Sequence, residues 1–263
     1  MHEFPATTPL HLVVRLSSGA VEVTAEERGS ATVEVQPGDD RDASRDLAER
    51  TSVELRGDTL SVVTPSDSGG LLRRSGSVRI DVRVPVDGTV EVKAASADTT
   101  CRGRYARATV DSASGQIFVE HVTGAAAAHA ASGDIRLIRV DGDLTVSGAS
   151  GDVRADQAGG RVEAKLSSGD LQIGEAASDV LAKTASGDVH VGAAARGAVQ
   201  VSTASGDVRV GVRAGTGVWL DLSTVSGRTS NGLDMTGGVA GEGHQLSLQL
   251  RTVSGGIDVH RVG

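Results

Sequence analysis

The chain has few aromatics and almost no sulfur chemistry. Phe, Tyr and Trp together make up 2% of its 263 residues, against 38% apolar residues in all, and Cys101 is the single cysteine. An enzyme of this length ordinarily fills its core and pocket with large rings, so the scarcity points to an interior of Val, Ile, Leu, Ala and Thr. One cysteine excludes an internal disulfide framework, and a thiol at an apolar position is expected to be buried and structural. Long apolar runs are missing as well. No stretch approaches the length of a membrane span. Met1 to Pro5 carries no basic leader, and the apolar residues behind it are broken by His11 and Arg15. The reading is therefore of no signal peptide and a cytoplasmic protein. Positive charge is not in excess either, since the net charge of -8 gives no electrostatic case for nucleic acid.

What the chain does have is a count. A serine, followed by glycine or a close relative, stands at Ser96, Ser114, Ser132, Ser150, Ser168 and Ser186, a spacing of 18, and then at Ser205, Ser226 and Ser254 with stretched spacing. A fixed short period marks a solenoid whose repeats bury their apolar faces only against one another. Within each repeat the apolar residues alternate, so the units are strands. Ile117 and Val119, Ile135 and Leu137, Leu171 and Ile173, Val189 and Val191, and Val208 and Val210 follow their serines at one phase. Leu144 and Val146, Val162 and Ala164, Val180 and Ala182, Val199 and Val201, Leu220 and Leu222, and Leu248 and Leu250 precede them at another. Two strands per coil follow, with the Ser-Gly-Asp step as one corner and stretches such as Gly159-Gly160 as the opposite bend. The predicted fold is all-β, a parallel β-solenoid of 18-residue coils, about eight to nine of them over residues 96–263.

Residues 1–95 are strand-rich without the strict period, and are expected to form a β-rich cap continuous with the solenoid. Leu12, Val14 and Leu16 before Ser18-Gly19, then Val21 and Val23, fit the repeat and predict an opening rung. Segments 31–35, 52–63 and 77–93 read as strands, with Arg56-Gly57-Asp58-Thr59 as a hairpin turn. Residues 39–50 read as a surface loop or short helix, and Pro65 to Gly70 as a second loop. The Arg-Gly-Asp tripeptide at 56–58 is explained by the turn and needs no adhesive role.

From Val78 to Val86 (VRIDVRVPV) and Gly88 to Ala97 (GTVEVKAASA), and through the reiterated Ala-Ser-Gly-Asp-Val steps, the chain resembles a bacterial β-strand-repeat family of unknown function whose members are commonly labelled adhesins. The resemblance runs from about Arg56 to the end. It implies the architecture and a non-enzymatic binding or structural role, and brings no catalytic or binding residues with it. Because such families include surface and membrane-anchored proteins, it also keeps export by a non-standard route as the alternative to the cytoplasm.

Candidate chemistry is sparse. Asp134, Asp152, Asp170, Asp188 and Asp207 take equivalent corners, so their carboxylates are expected to stack at roughly 4.8 Å, one interstrand distance. Such a ladder invites either a cation or hydrogen bonds from turn amides. A calcium β-roll needs Gly-Gly-x-Gly-x-Asp, and here one glycine precedes each aspartate, so capping of the turns is expected and no metal. Arg136, Arg154, Arg209 and His190 share an outward column beside these aspartates and read as a solvated lattice of opposite charges. The seven histidines show no metal-ligand spacing and no nucleophile partner. No cofactor and no catalysis are expected.

The period breaks between Ser205 and Ser254, where Asn231 to His244 is glycine-rich and Trp219, the only tryptophan, stands nearby. Irregular loops on rigid scaffolds carry binding sites, so Trp219, Asn231, Asp234 and His244 are the candidate contacts of an alternative reading, a carbohydrate- or ligand-binding β-helix. The leading reading is a noncatalytic scaffold or protein-interaction module. Its partner is an unknown protein or a second copy, met through the C-terminal coil, because Ile257 to Val259 leaves too few residues after it to cap a coil.

Overall fold

The computed structural model describes residues 1–6, 9–65, 76–233 and 245–263. The chain divides into two compact units, Met1–Ile135 and Arg136–Gly263. The first holds β1 (His2–Pro5), β2 (His11–Glu26), β3 (Ser30–Pro37), α1 (Asp42–Glu49), β4 (Ser52–Arg56), β5 (Thr59–Val63), β6 (Val78–Pro85), β7 (Thr89–Tyr105), β8 (Arg107–Ser114), β9 (Ile117–Val122) and β10 (Ala126–Ser132). The expected opening rung is present: β2 lies parallel to β7 with Ser18 opposite Ser96. Ser96 in turn faces Ser114, and Ser114 faces Ser132, so the serine column runs unbroken through the unit. Long strands β2 and β7 each turn the Ser corner and supply both sides of a coil, one side in a ladder with β8 and the other with β9.

β2 is nevertheless not the outermost rung. On its other edge it pairs parallel with β5 and β6, so the first coil in sequence is sandwiched. The outer edges of β5 and β6 are then covered by antiparallel partners. β4 runs against β5 through the turn at Gly57, whose φ of 63° meets the hairpin expectation, while β3 runs against β6 and β1 against β3. The short helix expected within 39–50 is α1, with Leu47 and Ser44 buried. Ser44 fastens it: its hydroxyl donates to Asp39 Oδ1 at 2.6 Å and accepts the Ser77 amide at 3.0 Å. Hydrogen bonds from Arg41 and Ser44 hold the Asp39 carboxyl down at about 2. Of the expected loop at Pro65 to Gly70, all but Pro65 lies outside the described residues.

The second unit takes in nearly all of β11 (Ile135–Val140) together with β12 (Leu144–Ser150), β13 (Val153–Ala158), β14 (Val162–Ser168), β15 (Leu171–Ala176), β16 (Val180–Ser186), β17 (Val189–Ala194), β18 (Gly197–Ser205), β19 (Val208–Arg213), β20 (Val218–Ser226), β21 (Thr229–Gly232), β22 (Leu246–Ser254) and β23 (Ile257–Val262). Two parallel ladders face each other across a core of small apolar side chains. β12, β14, β16 and β18 stack with Ser150, Ser168, Ser186 and Ser205 in register, and β13, β15, β17 and β19 stack with Val153, Leu171, Val189 and Val208 in register. The inward columns predicted from the alternation are buried through this stack, with Ile173, Val191, Val199 and Val210 all at 0% exposure.

The corner needs glycine for two reasons at once. Gly206 has φ +143°, and a Cβ there would lie 2.1 Å from the Gly187 carbonyl oxygen of the neighbouring coil. Both the backbone angle and the rung-to-rung approach are closed to other residues.

The order of the last rungs corrects the sequence reading. β22 pairs with β18 on one edge and β20 on the other, and β23 likewise sits between β19 and β21. Ser254 therefore stacks between Ser205 and Ser226. The final strand, with Ile257 and Val259 at 1% and 0% exposure, is an interior rung rather than an open one. The chain passes over one place, lays down residues 218–232 as the outer rung, and returns to fill the gap.

Candidate interaction surface at the terminal rung

Among the described residues, no strand pairs with the outer edge of β20 or β21. The consequence is seen in their inward side chains. Leu246, Leu248 and Leu250 of β22 are buried at 1%, 0% and 0%, whereas Val218, Leu220 and Leu222, which face them in register on β20, are only half-buried. The same template residues lose their cover one rung further out. Completing the burial of a Val or Leu side chain is worth about 1.5–3 kcal/mol from full exposure, so these three leave about 1–2 kcal/mol unrealised. The β21 side of the rung is polar, with Thr229 and Asn231 opposite Ile257 and Val259 and all four of its residues exposed.

The outer face of this rung differs from the rest of the stack too. The residue before each corner serine is Ala95, Ala113, Ala131, Ala149, Ser167, Ala185 and Ala204, then Val225 and Val253. These two valines are 81% and 54% exposed, and Trp219, further along the same face of β20, is 41% exposed. The switch from Ala to Val was visible in the sequence, yet its meaning was not, because only the stacking order makes Val225 and Val253 neighbours.

Of the four candidate contacts, Trp219 projects from the first ladder and Asn231 stands in the inward column of the second, where its Oδ1 accepts the Leu233 amide at 3.0 Å. No hydrogen bond joins the two among the described residues. Asp234 and His244, and the segment 234–244, lie outside the described residues.

The aspartate column does what turn capping requires. Asp152, Asp170 and Asp188 each accept, through Oδ1, the backbone amide of the next aspartate in the column, at 2.9, 2.8 and 2.8 Å, and Asp207 accepts the Gly256 amide at 2.8 Å. Asp98, Asp143 and Asp179 repeat the device at the amides of Gln116, Arg161 and Ala198. Each carboxylate thus spends one oxygen tying its coil to the next. Among the described residues no group of His, Cys, Asp and Glu is arranged to hold a metal ion.

The charged lattice forms around these corners. Arg209 lies 3.0 Å from Asp207 and 3.9 Å from Asp188, and Arg154 and Arg136 reach Asp156, at 2.7 and 3.7 Å, a partner the column reading did not include. Burial, with His260 and Arg209 nearby, pushes the His190 imidazole below its ordinary value. Cys101 is fully buried and its thiol is pushed up to about 12 by that burial, so it is inert as a nucleophile.

A family model described as Toastrack DUF4097 matches residues 11–259. The chain belongs to the Toastrack DUF4097 family. The matched span runs from the sandwiched rung β2 to the returning strand β23, so the interleaved rungs of both units fall inside the Toastrack region. Among solved structures, the chain is similar to a candidate lipid binding protein from Parabacteroides distasonis, at 13% identity over 100% of this chain and 96% of that one, with a TM-score of 0.51. It also aligns with candidate adhesins from Parabacteroides merdae (11% identity, 100% and 95% covered, TM-score 0.42) and Bacteroides fragilis (10%, 98% and 95%, TM-score 0.40). Likeness at this identity speaks to the Toastrack fold alone. No curated protein sequence matches the chain.

Proposed function

We propose that this Toastrack protein is a noncatalytic interaction module that pairs with a second copy of itself through the rung of residues 218–232. The observation that carries the reading is the half-burial of Val218, Leu220 and Leu222 beside the fully buried Leu246, Leu248 and Leu250. An unpaired strand edge with apolar side chains beneath it is what a further strand completes. Natural edges are blunted with Lys and Pro, and residues 218–232 contain neither; their charges are Asp221 and Arg228, which cancel in a chain of net charge -8. Two copies can therefore meet here without like-charge repulsion. A two-fold contact closes a dimer, while a head-to-tail one builds a filament. The adhesin names of similar structures agree with a binding role and say nothing of the partner. The carbohydrate- or ligand-binding alternative has less support, since Trp219 and Asn231 stand on different ladders.

Sedimentation of the full chain tests the reading. The wild type is expected to be a dimer or larger at about 100 µM, a range in which modest interfaces are populated. The double variant Trp219→Arg with Val225→Glu, both exposed positions, is expected to be a folded monomer. A monomeric wild type at that concentration, or association unchanged in the variant, overturns the proposal.

A further inference from the structure

Unit one carries a trough that the contact at residues 218–232 does not use. It is an open groove of about 620 Å³ on the outer face of the ladder formed by β2, β7, β8 and β10, beside the serine corner. Three interstrand steps make it about 14 Å long. Its floor is the small corner column of Ala95, Ala113 and Ala131, and its side is the next outward column, where Arg15, Lys93, Asp111 and His129 stand opposite one another on successive rungs. Short side chains beside long ones make the depression. At the β2 end it is closed by Val63 to Pro65, because the Thr64 amide bonds the Arg15 carbonyl at 2.9 Å and brings the chain end of β5 alongside.

The charge along this wall is uneven. Arg15 and Lys93 are directly opposite one another, an arrangement that destabilises a sheet unless something offsets it. Lys93 Nζ lies 3.1 Å from Glu91, whereas the exposed Arg15 guanidinium makes no ion pair among the described residues. Among the described residues, a cation without an ion-pair partner therefore stands at the closed end of an apolar floor, and Asp111 one rung beyond Lys93 disfavours a second negative group further along. We infer that the trough binds a single-chain anionic amphiphile, its carboxylate held by Arg15 and Lys93 at the closed end and its hydrocarbon chain laid over Ala95, Ala113 and Ala131. Guanidinium suits a carboxylate through paired N–H donors. The volume falls in the range of small-ligand sites.

Calorimetry of the full chain with dodecanoate, kept below the concentration at which it forms micelles, tests the inference. Saturable binding is expected, weakened at least about tenfold in Arg15→Glu and retained in Arg15→Lys. Ala113→Trp, at an exposed floor position, is expected to abolish binding while the circular dichroism spectrum stays that of the wild type. Acetate is expected to bind far more weakly than dodecanoate, and dodecyltrimethylammonium not to compete. Equal binding of acetate, equal binding of the cationic amphiphile, or dodecanoate binding indifferent to both Arg15→Glu and Ala113→Trp overturns it. The sedimentation behaviour of the Trp219→Arg, Val225→Glu variant bears on neither outcome.

Discussion

Two rungs of this protein face the same physical problem and meet it differently. The β5 and β6 rung of unit one has its edges taken up by antiparallel β4 and β3, and α1 is pinned to the loop before it through Ser44. Leu60, Val62, Ile80 and Val82 are accordingly buried at 0–1%. The β20 and β21 rung of unit two has no such cover among the described residues, and its inward Val218, Leu220 and Leu222 stay half-buried. Both units also place a coil out of sequence order, β2 inside β5 and β6 and β22–β23 inside β20–β21, so the outer parallel rung of each comes from within the chain, and β1 lies beyond that of unit one only as the antiparallel partner of β3. A solenoid terminus is its weak point. Threading the end of the chain between two rungs means that peeling it away breaks two ladders rather than one.

The largest expected effect tests that threading. Leu248→Asp places a charge in a fully buried column and is expected to cost on the order of 4 kcal/mol or to prevent folding. Leu220→Asp, one rung outward and half-buried, is expected to cost about 1 kcal/mol, since the carboxylate can reach water. Thermal or denaturant melts compare the two. If the outer rung were the last in sequence, the order of the two losses would reverse.

A second test asks whether the inserted rung is held as firmly as those laid down in order. Asp170 caps the Asp188 amide between consecutive coils, and Asp207 caps the Gly256 amide across the insertion, both at 2.8 Å. Asp170→Ala and Asp207→Ala are each expected to cost about 1–2 kcal/mol, the range for a hydrogen bond to a charged acceptor at a part-exposed corner. Chelator is expected to leave both melts and the wild-type melt unchanged, because the oxygens are used on amides. A calcium-dependent rise in melting temperature, lost in Asp170→Asn with Asp188→Asn, would replace capping by cation bridging.

The difference between the two rungs also marks how far the sequence could be read. The period, the inward columns, the Ser-Gly corner, the hairpin at Gly57 and the capping role of the aspartates are local or strictly repetitive, and each follows from a few residues. The stacking order does not, because coils built on one template fit beside one another in any order: Ser254 matches Ser205 and Ser226 equally well. The stretched spacing after Ser205 signalled that something changed there without saying that the chain skips a place. The trough was hidden for a related reason. Its alanine floor is plain in the repeat, but its closed end depends on Thr64 meeting Arg15, 49 residues away in sequence.

A smaller effect compares one inward column in the two units. In unit two this column carries Thr203 and Thr252, whose hydroxyls reach the carbonyls of Ser205 and Gly206 at 3.2 and 3.1 Å. In unit one the same column holds Ser112 between Ala94 and Ala130, and its buried hydroxyl has no hydrogen-bond partner among the described residues. Ser112→Ala is expected to stabilise by about 1 kcal/mol, removing an unsatisfied buried group. Thr252→Ala is expected to destabilise by a similar amount. Equal signs in the two melts would mean that the column is not shared.

The smallest expected effect concerns the cover of unit one. Arg41 and Ser44 hold the Asp39 carboxyl at about 2, below its ordinary 3.8, so the folded protein keeps this group ionised longer than the unfolded chain does. A depressed folded value contributes stability that is fully present above the unfolded value and is lost as pH falls from about 4 through about 2. Because the carboxyl is exposed, its contribution is screened and modest. Asp39→Asn removes the charge at every pH, so the gap in melting temperature between wild type and variant is expected to be widest above pH 5 and to close toward pH 2. A gap that stayed constant down to pH 2 would mean that Asp39 holds the loop before α1 through its shape and neutral hydrogen bonds alone, and that the covered rung owes nothing to this charge.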